Sequence, residues 1–194
     1  RSNDDGSVPQ DNPFVNTQGA WPSIWSYGNR NPEGLAFDPR TGLLWESEHG
    51  PTGGDEINII EPGLNYGWGV VSRGIQPGIS RQHDPLMTDP LTYYTPSIGP
   101  SGISFYTGDR YPRWQNNSLF VTALVGQRLL RLAISDRDIT SQEIVFEQFG
   151  RVRQIVNGPD GLFYVLLQNP TGRGTGTPVF GAAPGMVIRL QPEN

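Results

Sequence analysis

Three groups of short apolar segments recur along the chain in the same order, and this repetition restricts the possible folds more than any other feature. In each group, a first strand is followed by a turn and two further strands. The predicted first strands span residues 34–37, 102–105 and 154–156, the second strands 43–45, 118–122 and 162–166, and the third strands 56–60, 128–132 and 186–190. An outer segment accompanies each group, at 23–28, 91–95 and 143–150. Repeated units of this kind are typical of β-propeller blades, so the sequence predicts an all-β fold.

The repeat divides the chain into three predicted blades, at residues 21–90, 91–142 and 143–194, within one propeller domain that covers residues 1–194. Successive units lie roughly 50 to 70 residues apart, whereas a plain blade needs about 40 to 50. The longest insertions are at 71–90 and 168–184. Three blades do not close a ring, since the smallest common propellers have four. We therefore expect exposed strand edges that favour self-association or pairing with a missing half.

Composition supports this fold and excludes several partners. The 25 glycines and 18 prolines among 194 residues favour many turns and little helix. A net charge of −5 without a basic stripe argues against nucleic acids and anionic membranes as partners. The absence of cysteine excludes a disulfide framework and thiolate metal sites. No apolar run is long enough for a membrane span, and we recognise no signal peptide.

Two features of the residues themselves predict a binding site. The segment from Glu48 to Pro51 ends a predicted strand, and carbonyl groups without a sheet partner there suit a hard cation. Arg30 stands just before the inner strand of one blade, and Arg151 and Arg153 stand in the same place in another. Converging guanidinium groups suit a planar anionic ligand, because they pair with carboxylates and stack on rings. Ordinary surface ion pairs explain the same spacing about equally well.

Five ordered motifs give the chain a specific resemblance. They are GNRNPEGLAF at 28–37, EHGP at 48–51, GDEIN at 54–58, NYGW at 65–68 and PSIGPSG at 96–102. From about Asp5 onward, the chain resembles the soluble PQQ-dependent aldose sugar dehydrogenases of the glucose/sorbosone dehydrogenase family. The resemblance implies a six-bladed propeller of which this chain is the C-terminal half. The chain is then either a piece of a longer protein or a half-propeller that pairs with a second copy.

The family resemblance also implies a function and a set of site residues. It implies pyrroloquinoline quinone (PQQ) and Ca²⁺ as cofactors, an aldose sugar oxidised to a lactone, an external electron acceptor, and a periplasmic or secreted location. The implied roles are quinone polarisation by Arg30, contact with the cofactor by Asn31, His49 and Ser97, binding of its carboxylates by Arg151 and Arg153, and calcium binding by the backbone carbonyls of Gly50 and Pro51. His49 stands where the best-known family member has glutamine.

The catalytic base is where the chain departs from the family. A histidine from the N-terminal half takes the sugar proton in the family, and this chain offers no match. His83 lies in the insertion at 71–90 and is expected to face solvent. We therefore expect that this chain alone does not turn over sugar. Two competing hypotheses are a cofactor-free propeller that serves as an interaction module and a truncated, inactive homologue.

Other residues near the motifs have less specific interpretations. Glu46 and Glu48 alternate along one strand, and the pattern favours a solvated face over an acid/base pair. Asp55 and Glu56 either cap the turn before a strand or support calcium from outside its ligand shell. Most of the tryptophans at 25, 45, 68 and 114 are expected as wedges between blades rather than as sugar platforms.

Overall fold

The computed structural model describes residues 1–147, 149–168 and 185–192. The strands in these ranges are β1 (Pro32–Phe37), β2 (Leu44–Glu48), β3 (Asp55–Ile60), β4 (Thr92–Tyr94), β5 (Pro100–Phe105), β6 (Ser118–Ala123), β7 (Arg128–Ser135), β8 (Asp138–Glu147), β9 (Arg151–Asn157), β10 (Phe163–Gln168) and β11 (Met186–Arg189). A single-turn 3₁₀ helix, Pro112–Trp114, precedes β6. Of the predicted insertion at 168–184, all but Gln168 lies outside the described residues. Within those residues, no helix has the length and apolarity needed to cross a membrane.

The strands form three antiparallel sheets, in the orders β1-β2-β3-β4, β5-β6-β7-β8 and β9-β10-β11. This arrangement confirms the prediction of an all-β chain with about three propeller blades. Side chains alternate between the two faces of each sheet. In the first sheet, Ala36, Trp45 and Ile59 lie opposite one another on the face that points into the core, and Leu35 lies on the other face.

The observed sheet order differs from the predicted blade limits. β4 pairs with β3, with Asp55 opposite Tyr94, and β8 pairs with β7. Each of these outer strands therefore belongs to the sheet before it, whereas limits at 90/91 and 142/143 assigned them wholly or partly to the next unit. The outer segment predicted at 23–28 forms only an isolated bridge, between Tyr27 and Asn65.

Two apolar cores lie between successive sheets. The core between the first two sheets includes Trp45, Ile57, Phe105, Leu119 and Leu132, and the core between the second and third includes Phe120, Leu129, Ile155, Phe163 and Val165. Trp45 is fully buried with its ring edge-to-face on Phe105, and the Trp114 ring lies 5.0 Å from that of Phe120. Both tryptophans fill space between sheets, as expected.

The inner strands of the three sheets are neighbours, with β5 between β1 and β9. Gly34 permits the close approach of β1 to β5, because a Cβ there would lie 2.5 Å from the Ser101 carbonyl oxygen. Arg30 precedes β1, Ser97 precedes β5, and Arg151 is the first residue of β9. These three predicted site residues thus stand at the beginnings of the three inner strands, whereas His49, Gly50 and Pro51 follow the end of β2.

The outward faces of the first and third sheets keep large apolar side chains exposed. Leu35 and Phe37 on β1 are 61% and 67% exposed, and Val156 and Val187 on the third sheet are 48% and 65% exposed. The sheet faces that pack against a neighbouring sheet are buried. The outward faces of the first and third sheets therefore differ from them, because they carry exposed apolar side chains. We call these two surfaces the end faces.

Candidate cofactor site

A cleft lies where the beginning of β1 and the end of β2 meet the segment that follows. It brings together Arg30, His49, Gly50 and Pro51 of the predicted site, together with Trp68. Glu48 and Glu56 line the same cleft from neighbouring strands. The cleft therefore combines a guanidinium group, buried carboxyl groups and an irregular backbone loop.

Arg30 is held in place on several sides. Its guanidinium carbon lies 5.0 Å from the centre of the Trp68 ring, and its Nη1 donates to the His49 carbonyl oxygen at 3.0 Å. Its backbone N–H donates to Glu48 Oε2 at 2.5 Å. Its Nε is buried without a hydrogen-bond partner in the described part of the chain. Arg30 is thus oriented, and its Nε is a buried donor that remains unused.

Two of the residues predicted beside the cofactor, Asn31 and His49, are held by hydrogen bonds to neighbouring strands. The Asn31 N–H also donates to Glu48 Oε2, at 3.1 Å, and its side-chain amide donates to Glu33. His49 Nε2 lies 2.6 Å from the Pro100 carbonyl oxygen, so this nitrogen carries the proton that the carbonyl accepts. The His49 ring therefore links the first sheet to the second.

The loop at Gly50 and Pro51 is tightly folded and leaves its carbonyl oxygens available. Neither oxygen accepts a hydrogen bond from the described residues. A Cβ on Gly50 would lie 2.1 Å from the Gly53 carbonyl oxygen, so the loop requires glycine there. No group of three or more His, Cys, Asp or Glu side chains in the described ranges could hold a metal. A cation at this loop would depend on backbone oxygens.

Asp55 connects this loop to Ser97. Its buried carboxyl group accepts hydrogen bonds from Gly50 N at 2.9 Å and from Ser97 Oγ at 2.7 Å. It also accepts from the N–H groups of Ile98 and Gly99, each at 2.8 Å. Ser97 therefore does not line the cleft, and its connection to the cleft residue Gly50 runs through the Asp55 carboxyl group.

The two remaining predicted residues, Arg151 and Arg153, do not line the cleft within the described residues. Arg151 Nε donates to Gln168 Oε1 at 3.3 Å, and the exposed Arg153 offers its carbonyl oxygen to Thr122 Oγ1 at 3.2 Å. Their convergence with Arg30 on one ligand stays a prediction.

The carboxyl groups of Glu46, Glu48 and Glu56 form a buried cluster around Asn58. The expectation of a solvated strand face is wrong for Glu46 and Glu48, which are 1% and 3% exposed. Asn58 Nδ2 donates to all three, at 3.0, 3.4 and 3.5 Å. Burial raises the pKa of Glu46 to about 9, and the charge of Glu48 adds to this rise. Burial likewise raises the pKa of Glu56 to about 8, and it raises the pKa of Glu48.

Two contacts that organise the cleft were not predicted from the sequence. Trp68 was expected mainly as a core wedge, yet its ring supports Arg30. The NYGW motif contains this tryptophan, but its partner lies far away in the sequence. Glu48 was missed as the acceptor for two successive backbone N–H groups. His83 is 56% exposed and its Nδ1 lies 2.7 Å from Asp89, which confirms the expectation of a solvent-facing residue.

Comparison with known proteins identifies similar chains. A family model described as glucose/sorbosone dehydrogenase matches residues 1–176. The aldose sugar dehydrogenase YliI of Escherichia coli is 38% identical over 179 residues, which covers 89% of this chain and 48% of that protein. The chain spans about half the length of the curated relatives it matches.

Solved structures agree with this similarity. A crystal structure of a glucose dehydrogenase superposes with a TM-score of 0.86 at 37% identity, covering 100% of this chain and 54% of the other. The PQQ-bound form of an aldose sugar dehydrogenase from Streptomyces coelicolor superposes with a TM-score of 0.73 at 28% identity, covering 98% and 50%.

Proposed function

Because the chain belongs to the glucose/sorbosone dehydrogenase family, we propose that it supplies the arginine and calcium side of a PQQ site. The complete enzyme would oxidise an aldose sugar to a lactone and pass the electrons to an external acceptor. A periplasmic or secreted location is part of the same proposal. The similarity to a PQQ-bound aldose sugar dehydrogenase supports this choice of cofactor.

The observation that carries the proposal is the unused donor of Arg30. A buried donor without a partner costs about 1–3 kcal/mol, and an anionic ligand oxygen would remove that cost. The guanidinium carbon also lies 5.0 Å from the centre of the Trp68 ring, a cation–π contact that stabilises this position. PQQ carries three carboxylates and an ortho-quinone, so its oxygens fit this donor.

The loop at Gly50 and Pro51 fits calcium for a related reason. Calcium takes backbone carbonyl oxygens readily, and these two oxygens accept no hydrogen bond from the described residues. The tight packing of Gly50 against Gly53 holds the loop in one conformation. Waters and cofactor oxygens would complete the coordination shell.

When bound, PQQ supplies a hydride acceptor and calcium a Lewis acid. Arg30 would hold the quinone side of the cofactor by donating a hydrogen bond to one of its oxygens, and it would supply positive charge there. Asn31 and His49 would orient the cofactor directly, whereas Ser97 would act through Asp55 and the Gly50 loop. Arg151 and Arg153 pair with its carboxylates.

The proton of the sugar hydroxyl needs a base, and neither histidine of the chain suits this task. His49 stands at the position that contacts the cofactor in the family rather than at the position of the base, and His83 pairs with Asp89 outside the cleft. We assign the base to another part of the complete enzyme. This part of the proposal predicts PQQ binding by the chain without sugar turnover.

The test is a titration of the chain with PQQ in the presence of calcium, followed by quinone absorbance and by heat release. Arg30→Ala should weaken binding about 10- to 100-fold, because a hydrogen bond to a charged group contributes about 1.5–3 kcal/mol. Arg137→Ala is the matched control, since Arg137 forms a surface ion pair with Glu61. A folded wild-type chain that binds no PQQ would instead favour the interaction module or the inactive homologue.

A further inference from the structure

Asp55 has an unusual number of partners for a single carboxyl group. It is fully buried and accepts four hydrogen bonds, one from Gly50 N, one from Ser97 Oγ and two from backbone N–H groups that follow Ser97. Its Oδ1 faces the loop of the first sheet and its Oδ2 faces the turn that leads into the second. Asp55 therefore joins two segments that come from different sheets.

The link to Gly50 continues to Arg30 through a single peptide group. The N–H of the His49–Gly50 peptide donates to Asp55 Oδ1 at 2.9 Å, and the carbonyl of the same peptide accepts from Arg30 Nη1 at 3.0 Å. A peptide group is planar, so fixing its N–H also fixes the direction of its carbonyl oxygen. This one peptide group therefore connects the Asp55 carboxyl group to the Arg30 guanidinium.

We propose that Asp55 is a positioning residue for Arg30 that acts through the His49–Gly50 peptide. The importance of this role for cofactor binding rests on the proposed function. Asp55 does not touch the cleft itself. It sets the direction in which Arg30 presents its unused Nε donor, and it holds the Gly50 loop beside that donor.

The alternative role for Asp55 is purely structural, as a cap for the turn at Ser97. In that case, loss of the carboxylate would loosen the amides of Ile98 and Gly99 and leave Arg30 as ordered as before. Ser97→Ala separates the two roles, since it removes one turn contact and keeps the bond from Gly50 to Oδ1.

The first experiment uses the chain without cofactor and follows Arg30 by NMR. In Asp55→Asn, we expect the order parameter of the Arg30 Nε–H bond to fall, whereas in Ser97→Ala it should stay at the wild-type value. Asp38→Asn is the matched control, because Asp38 is equally buried but caps the turn after β1. An Arg30 order parameter unchanged in Asp55→Asn would overturn the proposal.

A measurement on the wild-type chain covers the case in which Asp55→Asn fails to fold. If one carboxyl group joins both segments, the amides of Gly50, Ile98 and Gly99 should exchange with solvent in one opening event, with the same dependence on denaturant. Independent opening of Gly50 would contradict the link.

The second experiment measures PQQ affinity with calcium in a double-mutant cycle. Asp55→Asn should weaken binding about 10- to 100-fold, as the loss of a residue that orients a ligand-binding group typically does. Added to Arg30→Ala, it should cause a clearly smaller further loss than it causes alone, since part of its effect passes through Arg30 and only the rest through the Gly50 loop. Fully additive losses would show a separate structural role. If the wild-type chain binds no PQQ, the proposed function fails, and the NMR result still decides whether Asp55 positions Arg30.

Discussion

Replacement of Glu46 by glutamine should stabilise the chain at pH 8 and leave its stability near pH 5 almost unchanged. Burial raises the pKa of Glu46 from 4.5 to about 9, so the folded chain keeps this proton over a range in which the unfolded chain releases it. The stability that this proton contributes is fully present below pH 4.5 and is lost as the pH rises toward 9. Glutamine has the same shape, stays neutral and still offers an oxygen to Asn58 Nδ2, which lies 3.0 Å from Glu46 Oε2.

The size of the effect follows from the linkage between protons and folding. One proton held only by the folded state changes the free energy of unfolding by about 1.4 kcal/mol per pH unit. From pH 5 to pH 8, the Glu46→Gln chain should therefore gain on the order of 4 kcal/mol relative to the wild type. A chain of this size shifts its Tm by about 2–4 °C per kcal/mol, so the difference in Tm should grow by on the order of 10 °C.

Thermal unfolding followed by circular dichroism at pH 5, 6, 7 and 8, at constant ionic strength, measures this difference. Glu143→Gln is the control, because Glu143 is about half exposed and pairs with Arg131 on the surface of the second sheet. Its Tm difference from the wild type should stay nearly flat over this pH range. A flat difference for Glu46→Gln as well would refute the reasoning, since Glu46 would then ionise as readily in the folded chain as in the unfolded one.

Two further predictions concern the cleft. Trp68→Leu should weaken PQQ binding about fivefold, because it removes a cation–π contact with Arg30 that contributes about 1 kcal/mol, whereas Trp25→Leu, which removes a similar contact with Arg1, should not change binding. Wild-type affinity in Trp68→Leu would contradict a supporting role for this ring. Gly50→Ala should abolish the calcium dependence of PQQ binding, because the added Cβ would lie 2.1 Å from the Gly53 carbonyl oxygen and displace the loop. Calcium titrations at fixed PQQ measure this effect, and an unchanged calcium midpoint would rule out the loop as the site.

Most strands could be predicted from the sequence, because glycine and proline punctuate short apolar runs of suitable length. The sequence did not predict with which sheet each outer strand pairs. β4 is only three residues long and follows the insertion at 71–90, so its closeness in sequence to β5 suggested the wrong sheet. Membership of a sheet depends on backbone pairing with β3, which no local pattern of residues specifies.

The acidic cluster shows a second limit of sequence reasoning. Alternation correctly placed Glu46 and Glu48 on one face of β2, and charge suggested that this face is solvated. Glu48 and Glu56 instead line the cleft beneath residues of the long connection between β3 and β4, including Tyr66 and Trp68. The burial of these glutamates by a loop that is distant in sequence is a tertiary effect, and it cannot be predicted from the residues of the strand alone. The same reason explains why the contact between Arg30 and Trp68 was missed.

The two end faces determine what kind of assembly a copy-to-copy contact would produce. Leu35 and Phe37 form one end face, and Val156 and Val187 lie on the other, so a contact that joins one end face to the opposite one is heterologous. Such contacts close into a ring when the rotation from one copy to the next divides a full turn evenly, and they otherwise propagate as an open filament.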